Sequence, residues 1–174
     1  MVGSIASFVA SREAVLVKVL FVCTGNICRS PLGEGLLRHL ADEAGLGQTL
    51  EVDSAGTHDY EVGDPPDPRS VAAGKRRGID ISRQRARQVD PSDFDTFDVI
   101  IAMDRGHQHI LQRLAPAKAR NRIYLLMDFS PGDPHDVPDP YYGEAEGFDP
   151  VRDQIERGVK GLLVYMRREG MFES

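Results

Sequence analysis

The chain has 174 residues and only two cysteines, and both cysteines fall in one short stretch, "CTGNICRS", from Cys23 to Ser30. Cys23 and Arg29 frame a Cys-x5-Arg pattern, with Cys28 directly before the arginine. Gly25 and Asn26 tolerate positive φ, so the backbone N–H groups from Thr24 onward are expected to curl inward as an anion nest. Ser30 is expected to cap a following helix, and Pro31 suits that helix's first turn. Nest and helix N-terminus together would hold a tetrahedral oxyanion, and the planar fork of Arg29 would take two of its oxygens. Cys23 lies at the floor of this cradle. Ringed by N–H dipoles and a guanidinium, its thiol should ionise more readily than a free cysteine, at ~8.5. The chemistry implied is attack of a thiolate on a phosphate ester, with transfer to sulfur and release by water in a second step. Prearranged donors would meet the charge on the equatorial oxygens, and neither metal nor cofactor is called for.

That chemistry needs a frame that holds the turn still. "VKVLFV" (17–22) reads as a buried strand, and Leu32, Leu36, Leu37, Leu40, Ala41 and Ala44 then recur at helical spacing up to Gly45. Further strands are predicted at 50–55, 98–103 and 121–127. A short helix is predicted to end at Gly78, and another to run through about Leu114. A closing helix carries the stripe Phe148, Val151, Ile155, Val159, Leu162, Leu163 and Met166. Alternating strands and helices with continuous apolar strands mean a parallel sheet covered on both faces, an α/β domain. In such sheets ligands sit beyond the carboxyl ends of the strands, where "CTGNICRS" lies. An isolated Cys-x5-Arg is also met by a core cysteine beside a surface arginine. Its place between a buried strand and a helix start favours the chemical reading.

The formal charge of −6, from 21 basic and 27 acidic residues, argues against nucleic acid or an anionic membrane as partner. Two cysteines are too few for a disulfide scaffold and suggest a reducing, cytoplasmic setting. Residues 1–16 lack a basic leading segment, and Arg12 and Glu13 interrupt their apolar character. They read as a disordered extension rather than a signal peptide, with the catalytic domain spanning 17–174. No run approaches a membrane span.

"VLFVCTGNICRSP" resembles the signature of the low-molecular-weight protein tyrosine phosphatases. The likeness continues in order through "VDSAGT", "PDPRSV", "GIDISRQRARQV", "DFDTFDVIIAMD" and "DPYYG". The resemblance implies a flavodoxin-like three-layer sandwich around a four-stranded parallel sheet. It also implies cofactor-free hydrolysis of phosphotyrosine in proteins or peptides, and of small aryl phosphates, through a phosphocysteine on Cys23. A monomer or weak dimer is expected. Residue by residue, the resemblance makes Asp139 the general acid, a role that the chain's other Asp-Pro pairs prevent sequence alone from assigning. Tyr141 and Tyr142 would wall a cleft for a flat phenyl ring. Tyr60 stands where animal members usually have tryptophan. Ile27 lies under the cleft where relatives acting on phosphoarginine tend to carry threonine, and so favours phosphotyrosine. Asn26, Ser30 and Ser54 match polar positions that shape the loop, while Gln84 replaces a histidine found in many relatives.

Cys28 reads either as a small filler of the loop or as a resolving thiol that captures oxidised Cys23 as a disulfide. A thioredoxin-coupled arsenate reductase would need a third cysteine in a distant segment, which this chain does not have. A phosphopeptide-binding module would need neither nucleophile nor acid. His107 and His109, two apart on a helix, do not share a face, and the five histidines are expected to be solvated rather than metal-bound.

Overall fold

Val19, Phe21 and Cys23 project from one face of β1 (Val17–Cys23) and Leu20 and Val22 from the other, and all five are buried. A strand covered on both sides belongs in the middle of a sheet. β1 pairs in parallel with β2 (Leu50–Gly56) along one edge and with β3 (Val99–Ala102) along the other, and β4 (Ile123–Leu125) adds to β3. The order β2-β1-β3-β4 is the flavodoxin-like arrangement expected from the resemblance. The computed structural model describes residues 16–173. The expected extension over 1–16 lies, save for Leu16, outside them.

Five α-helices are described: α1 (Arg29–Glu43), α2 (Pro68–Arg77), α3 (Asp93–Thr96), α4 (Arg105–Leu114) and α5 (Phe148–Arg168), with short 3₁₀ turns besides. Leu32, Leu36 and Leu37 of α1 and Val151, Ile155, Val159 and Leu162 of α5 pack on the face that carries Phe21. Phe94, Phe97 and Leu111 close the opposite face over Leu20, Val22 and Ile100. This makes a three-layer sandwich. α2 begins at an Asp67 cap that accepts the Arg69 backbone N–H at 2.9 Å. It ends at Gly78 (φ 89°), whose left-handed conformation lets the Ile79 N–H return to the Gly74 carbonyl at 3.0 Å.

Two strands are shorter than expected. β3 covers 99–102 rather than 98–103, although the Met103 N–H still reaches the Val22 carbonyl at 3.1 Å. β4 keeps three of seven expected residues, because 3₁₀ turns at Ala117–Arg122 and Leu126–Phe129 bound it. Leu126 turns out of the strand to pack against Gly158 of α5, so burial ends the strand before the apolar run does. Among the described residues no helix is long and apolar enough to cross a membrane.

From β1 the chain crosses to β2 on one side and later returns to β3 on the other. That reversal leaves a crevice above the carboxyl ends of β1 and β3. Cys23 ends β1 there, and Asp104 follows β3 by two residues.

Candidate active site

The turn after β1 is held from outside by its carbonyls. The Cys23 and Thr24 carbonyls accept from the Thr57 and His58 backbone N–H groups, at 2.8 and 3.1 Å. The Ile27 carbonyl accepts from the Asp67 N–H at 2.8 Å, and the Cys28 carbonyl from Ser70 Oγ at 2.9 Å. In a planar trans peptide the N–H points opposite to the carbonyl. Turning these four carbonyls outward therefore aims the N–H groups of Thr24, Gly25, Cys28 and Arg29 inward. Gly56, at the end of β2, makes room for the turn: a Cβ there would lie 2.6 Å from the Thr24 carbonyl oxygen.

One expectation for this turn is narrowed and one corrected. Asn26 alone takes positive φ (60°), and Gly25 does not; the left-handed residue is the one whose side chain is anchored. Asn26 Oδ1 accepts from the Arg87 backbone N–H at 3.0 Å, and its Nδ2 donates to Ser30 and Ser54. Ser30 is not the helix cap. The cap position is Cys28, and Ser30 lies inside the first turn with its hydroxyl turned to the nucleophile candidate.

Ser30 Oγ is 3.0 Å from Cys23 Sγ. Ser30 Oγ also accepts from Asn26 Nδ2 at 2.8 Å and lies 3.5 Å from the Ala55 carbonyl, and its proton can turn to the sulfur when that carries charge. Ser54 Oγ likewise accepts from Asn26 Nδ2 at 2.9 Å and donates to Glu34 Oε1 at 2.8 Å. Gln84 braces the same corner, with Oε1 3.4 Å from Ser54 Oγ and Nε2 donating to the Pro31 carbonyl at 3.1 Å. Burial pushes the Glu34 carboxyl up, against its Ser54 hydrogen bond and the Arg38 charge. The result is a continuous chain that branches from the Asn26 amide, one arm running through Ser54 to the buried Glu34 carboxyl and the other through Ser30 to the Cys23 sulfur.

Arg29 is 3% exposed. Its Nη1 donates to Asp104 Oδ2 at 2.8 Å and to the Val137 carbonyl at 2.9 Å, which fixes the plane of the guanidinium. Nη2 stands 3.4 Å from both Thr24 Oγ1 and His107 Nε2, and 3.7 Å from Asp139 Oδ2. Asp104 itself caps α4, its Oδ1 accepting the His107 backbone N–H at 2.8 Å. His107 was expected to be solvated. It is buried instead, because the first turn of α4 lies against the turn after β1.

A cavity of about 160 Å³ opens above this floor. Cys23, Thr24, Gly25, Ile27, Cys28, Arg29, Tyr60, Asp139, Tyr141 and Tyr142 line it, all of them anticipated from sequence, together with Glu61. Asn26, Ser30, Ser54 and Gln84 stand behind the turn instead. Tyr60 stacks on His58 at 5.1 Å between ring centroids, and Tyr141 meets Tyr142 edge-on at 5.0 Å. Asp139 Oδ1 accepts the Tyr141 backbone N–H at 3.0 Å. Arg69 ties this loop to α2 by donating to the carbonyls of Tyr141 and Gly143 at 2.9 Å each. Both cysteines are free, and burial, with Asp67 adding to it, pushes the Cys28 thiol well up. Among the described residues no three His, Cys, Asp or Glu side chains cluster to hold a metal ion.

Sequence reasoning missed Asp104, His107, Glu61, Arg69 and Glu34. Asp104 had a usable signal: an acidic residue immediately after the third apolar strand predicted at 98–103, at the ligand-binding edge of the sheet. The other four had none, because what brings Arg69, Glu34 and His107 to the site are partners in distant segments, and Glu61 reaches it only through the fold.

Residues 18–171 match the low molecular weight phosphotyrosine protein phosphatase family. A low molecular weight protein-tyrosine-phosphatase of Streptomyces coelicolor is 41% identical over 156 residues, covering 87% of this chain and 94% of that protein. The human low molecular weight phosphotyrosine protein phosphatase is 39% identical over 153 residues, covering 87% of this chain and 96% of its own length. The crystal structure of YfkJ from Bacillus subtilis superposes with a TM-score of 0.84 at 40% identity, covering 90% of this chain and 98% of that one. Likeness of this extent reaches from β1 to the end of α5 and includes the turn built around Cys23 and Arg29. The chain belongs to the low molecular weight phosphotyrosine protein phosphatases, a family of cysteine-dependent enzymes.

Proposed function

We propose that the protein hydrolyses phosphotyrosine, and small aryl phosphates, through a phosphocysteine on Cys23. The observation that carries this reading is the set of outward-tied carbonyls, which turns four backbone N–H groups toward the space above the Cys23 sulfur. In the first step the thiolate attacks phosphorus, the S–P bond forms and the P–O bond to the phenol breaks. Asp139 passes its proton to the leaving oxygen. In the second step water attacks phosphorus as the S–P bond breaks, Asp139 takes the water's proton, and inorganic phosphate leaves. The loop amides and the Nε–Nη2 edge of Arg29 meet the charge on the equatorial oxygens in both steps. Ser30 donates to the sulfur when it carries charge.

Tyr60, Tyr141 and Tyr142 would sandwich the phenyl ring over Ile27, and a flat apolar slot of this kind selects an aryl ester over a serine ester. Cys28 supports a protective role. After peroxide converts Cys23 to its sulfenic acid, condensation with the Cys28 thiol and loss of water would give a disulfide that a reductant reopens. We place the enzyme, a single domain over residues 17–174, in the cytoplasm as a monomer or weak dimer. The test is a substrate panel of phosphotyrosine, phosphoserine and phosphoarginine peptides with p-nitrophenyl phosphate, run on the parent and on Cys23→Ser. Turnover of the aryl esters alone, lost in the variant, is expected; equal turnover of phosphoserine, or activity retained without the thiol, contradicts it.

A further inference from the structure

His107 has no task in the reaction described above, yet its ring is buried against the phosphate loop. Nε2 lies 2.8 Å from Thr24 Oγ1 and 3.4 Å from Arg29 Nη2, and those two groups are 3.4 Å apart. Three polar groups thus form a closed triangle at the edge of the cradle. A guanidinium only donates hydrogen bonds. The nitrogen facing it must therefore be bare, and the Thr24 hydroxyl accepts from Arg29 while sending its own proton to Nε2. The ring proton is left on Nδ1, 3.1 Å from Asp104 Oδ1 but too bent for a hydrogen bond. A second proton, on Nε2, would point an N–H at the Arg29 charge and break the triangle.

The charged and titratable groups around the ring come from four elements: Arg29 of α1, Asp104 heading α4, Asp139 of the loop before α5, and His58 after β2. Burial and Arg29 outweigh the two carboxylates and hold the imidazole at about 4, below its ordinary value.

We infer that His107 is a positioning residue for phosphate binding: as a neutral imidazole protonated on Nδ1, it uses its bare Nε2 to fix the Thr24 hydroxyl and the outer nitrogen of Arg29. The inference rests on the reading of this turn as a phosphate cradle. It gives the first turn of α4 a part in substrate binding, beyond packing.

The experiment combines two readouts on the full chain. Nitrogen NMR of protein labelled in its histidine rings, with the His107 signals assigned by their loss in His107→Gln, is expected to show a protonated Nδ1 and a bare Nε2 at neutral pH. The reverse tautomer or an imidazolium overturns the inference. In parallel, inhibition by inorganic phosphate and kcat/KM for p-nitrophenyl phosphate are measured for the parent, His107→Gln and His107→Leu. Glutamine can still accept from Thr24 and Arg29, whereas leucine only fills space. Leucine should weaken phosphate binding and kcat/KM about tenfold, the value of one lost hydrogen bond, with glutamine within about threefold of the parent. Equal behaviour of the two folded variants, whether both parental or both impaired, contradicts the positioning role. If the leucine variant does not fold, the glutamine variant and the spectrum decide alone: loss in glutamine equal to tenfold overturns the inference. A parent that does not hydrolyse the ester would instead sink the phosphatase reading, and the tautomer would still be read.

Discussion

The two halves of the site are built in opposite ways. The half that carries sulfur is interior: Cys23, Asn26, Arg29 and Ser30 are each no more than 3% exposed, and each hydroxyl and amide in the chain from Glu34 to Cys23 has a partner. The half that carries the proposed acid is surface: the Asp139 side chain is 42% exposed and Tyr142 is 90% exposed, on a loop stiffened by Pro138 and Pro140. The contrast separates two jobs. Charge on a transferring phosphoryl group is best met by donors that do not reorganise, so they are locked in the core. A proton donor has to meet leaving groups of different shape, and a loop over a cleft accommodates them.

A first break of this comparison comes from the buried half. Arg29→Lys keeps the charge but loses the planar fork and cannot serve Asp104, the Val137 carbonyl and an anion together. It should lower kcat for p-nitrophenyl phosphate about 10²–10³-fold, as removal of one transition-state donor does. A loss below tenfold would mean that the fork is not used.

Asp139→Asn probes the exposed half. Turnover should fall about 10²–10⁴-fold for esters of poor leaving phenols and much less for good ones, because only poor leaving groups need the proton. A series of aryl phosphates graded by phenol acidity measures this, and uniform slowing would remove Asp139 from the acid role.

Stability sharpens the contrast. Asn26→Ala leaves Ser30 and Ser54 short of a donor in the core and the part-buried Arg87 N–H without its acceptor, at a cost of roughly 2–3 kcal/mol. That corresponds to a Tm lower by about 4–12 °C for a chain of this size. The Asp139→Asn melting curve should overlay the parent's, since that side chain is exposed and makes one backbone hydrogen bond. Equal melting of the two variants would undo the division.

A last effect appears only in acid. His107 is held neutral at about 4 in the folded chain, against an ordinary value of 6.5. A base whose folded value is depressed favours the unfolded state, which binds the proton first. The penalty is absent above the ordinary value, grows as pH falls through this window and levels off below it, at roughly 3 to 4 kcal/mol in all. Denaturant titrations at pH 7 and pH 4.5 should show His107→Gln losing less stability than the parent over that interval. An identical loss would mean that the imidazole titrates normally.

How much of this was legible in the sequence follows the same division. The β1 turn could be read because its parts are contiguous: an apolar strand, a glycine and asparagine, a cysteine and arginine at fixed spacing, then a helix start. Even there the local rules assigned Ser30 to the cap, because a serine before a proline fits that role and nothing local reveals the sulfur 3.0 Å away. Asp139 needed the family resemblance, since "VPDPYYG" is by itself an ordinary turn. Asp104, Glu34 and His107 act through partners 75, 20 and 83 residues distant in the chain, and only the sheet order brings those pairs together. β4 was overestimated because its apolar run continues past the strand to pack against α5.

The central claim is that phosphorus is carried on the sulfur at the floor of the turn. Rapid acid quench of the enzyme during turnover of p-nitrophenyl phosphate, followed by peptide mass spectrometry, tests it most directly. The account predicts one phosphoryl group on Cys23, present during turnover and gone when substrate is exhausted. Steady turnover with no phosphoryl group on Cys23, or with the group on another residue, would contradict it.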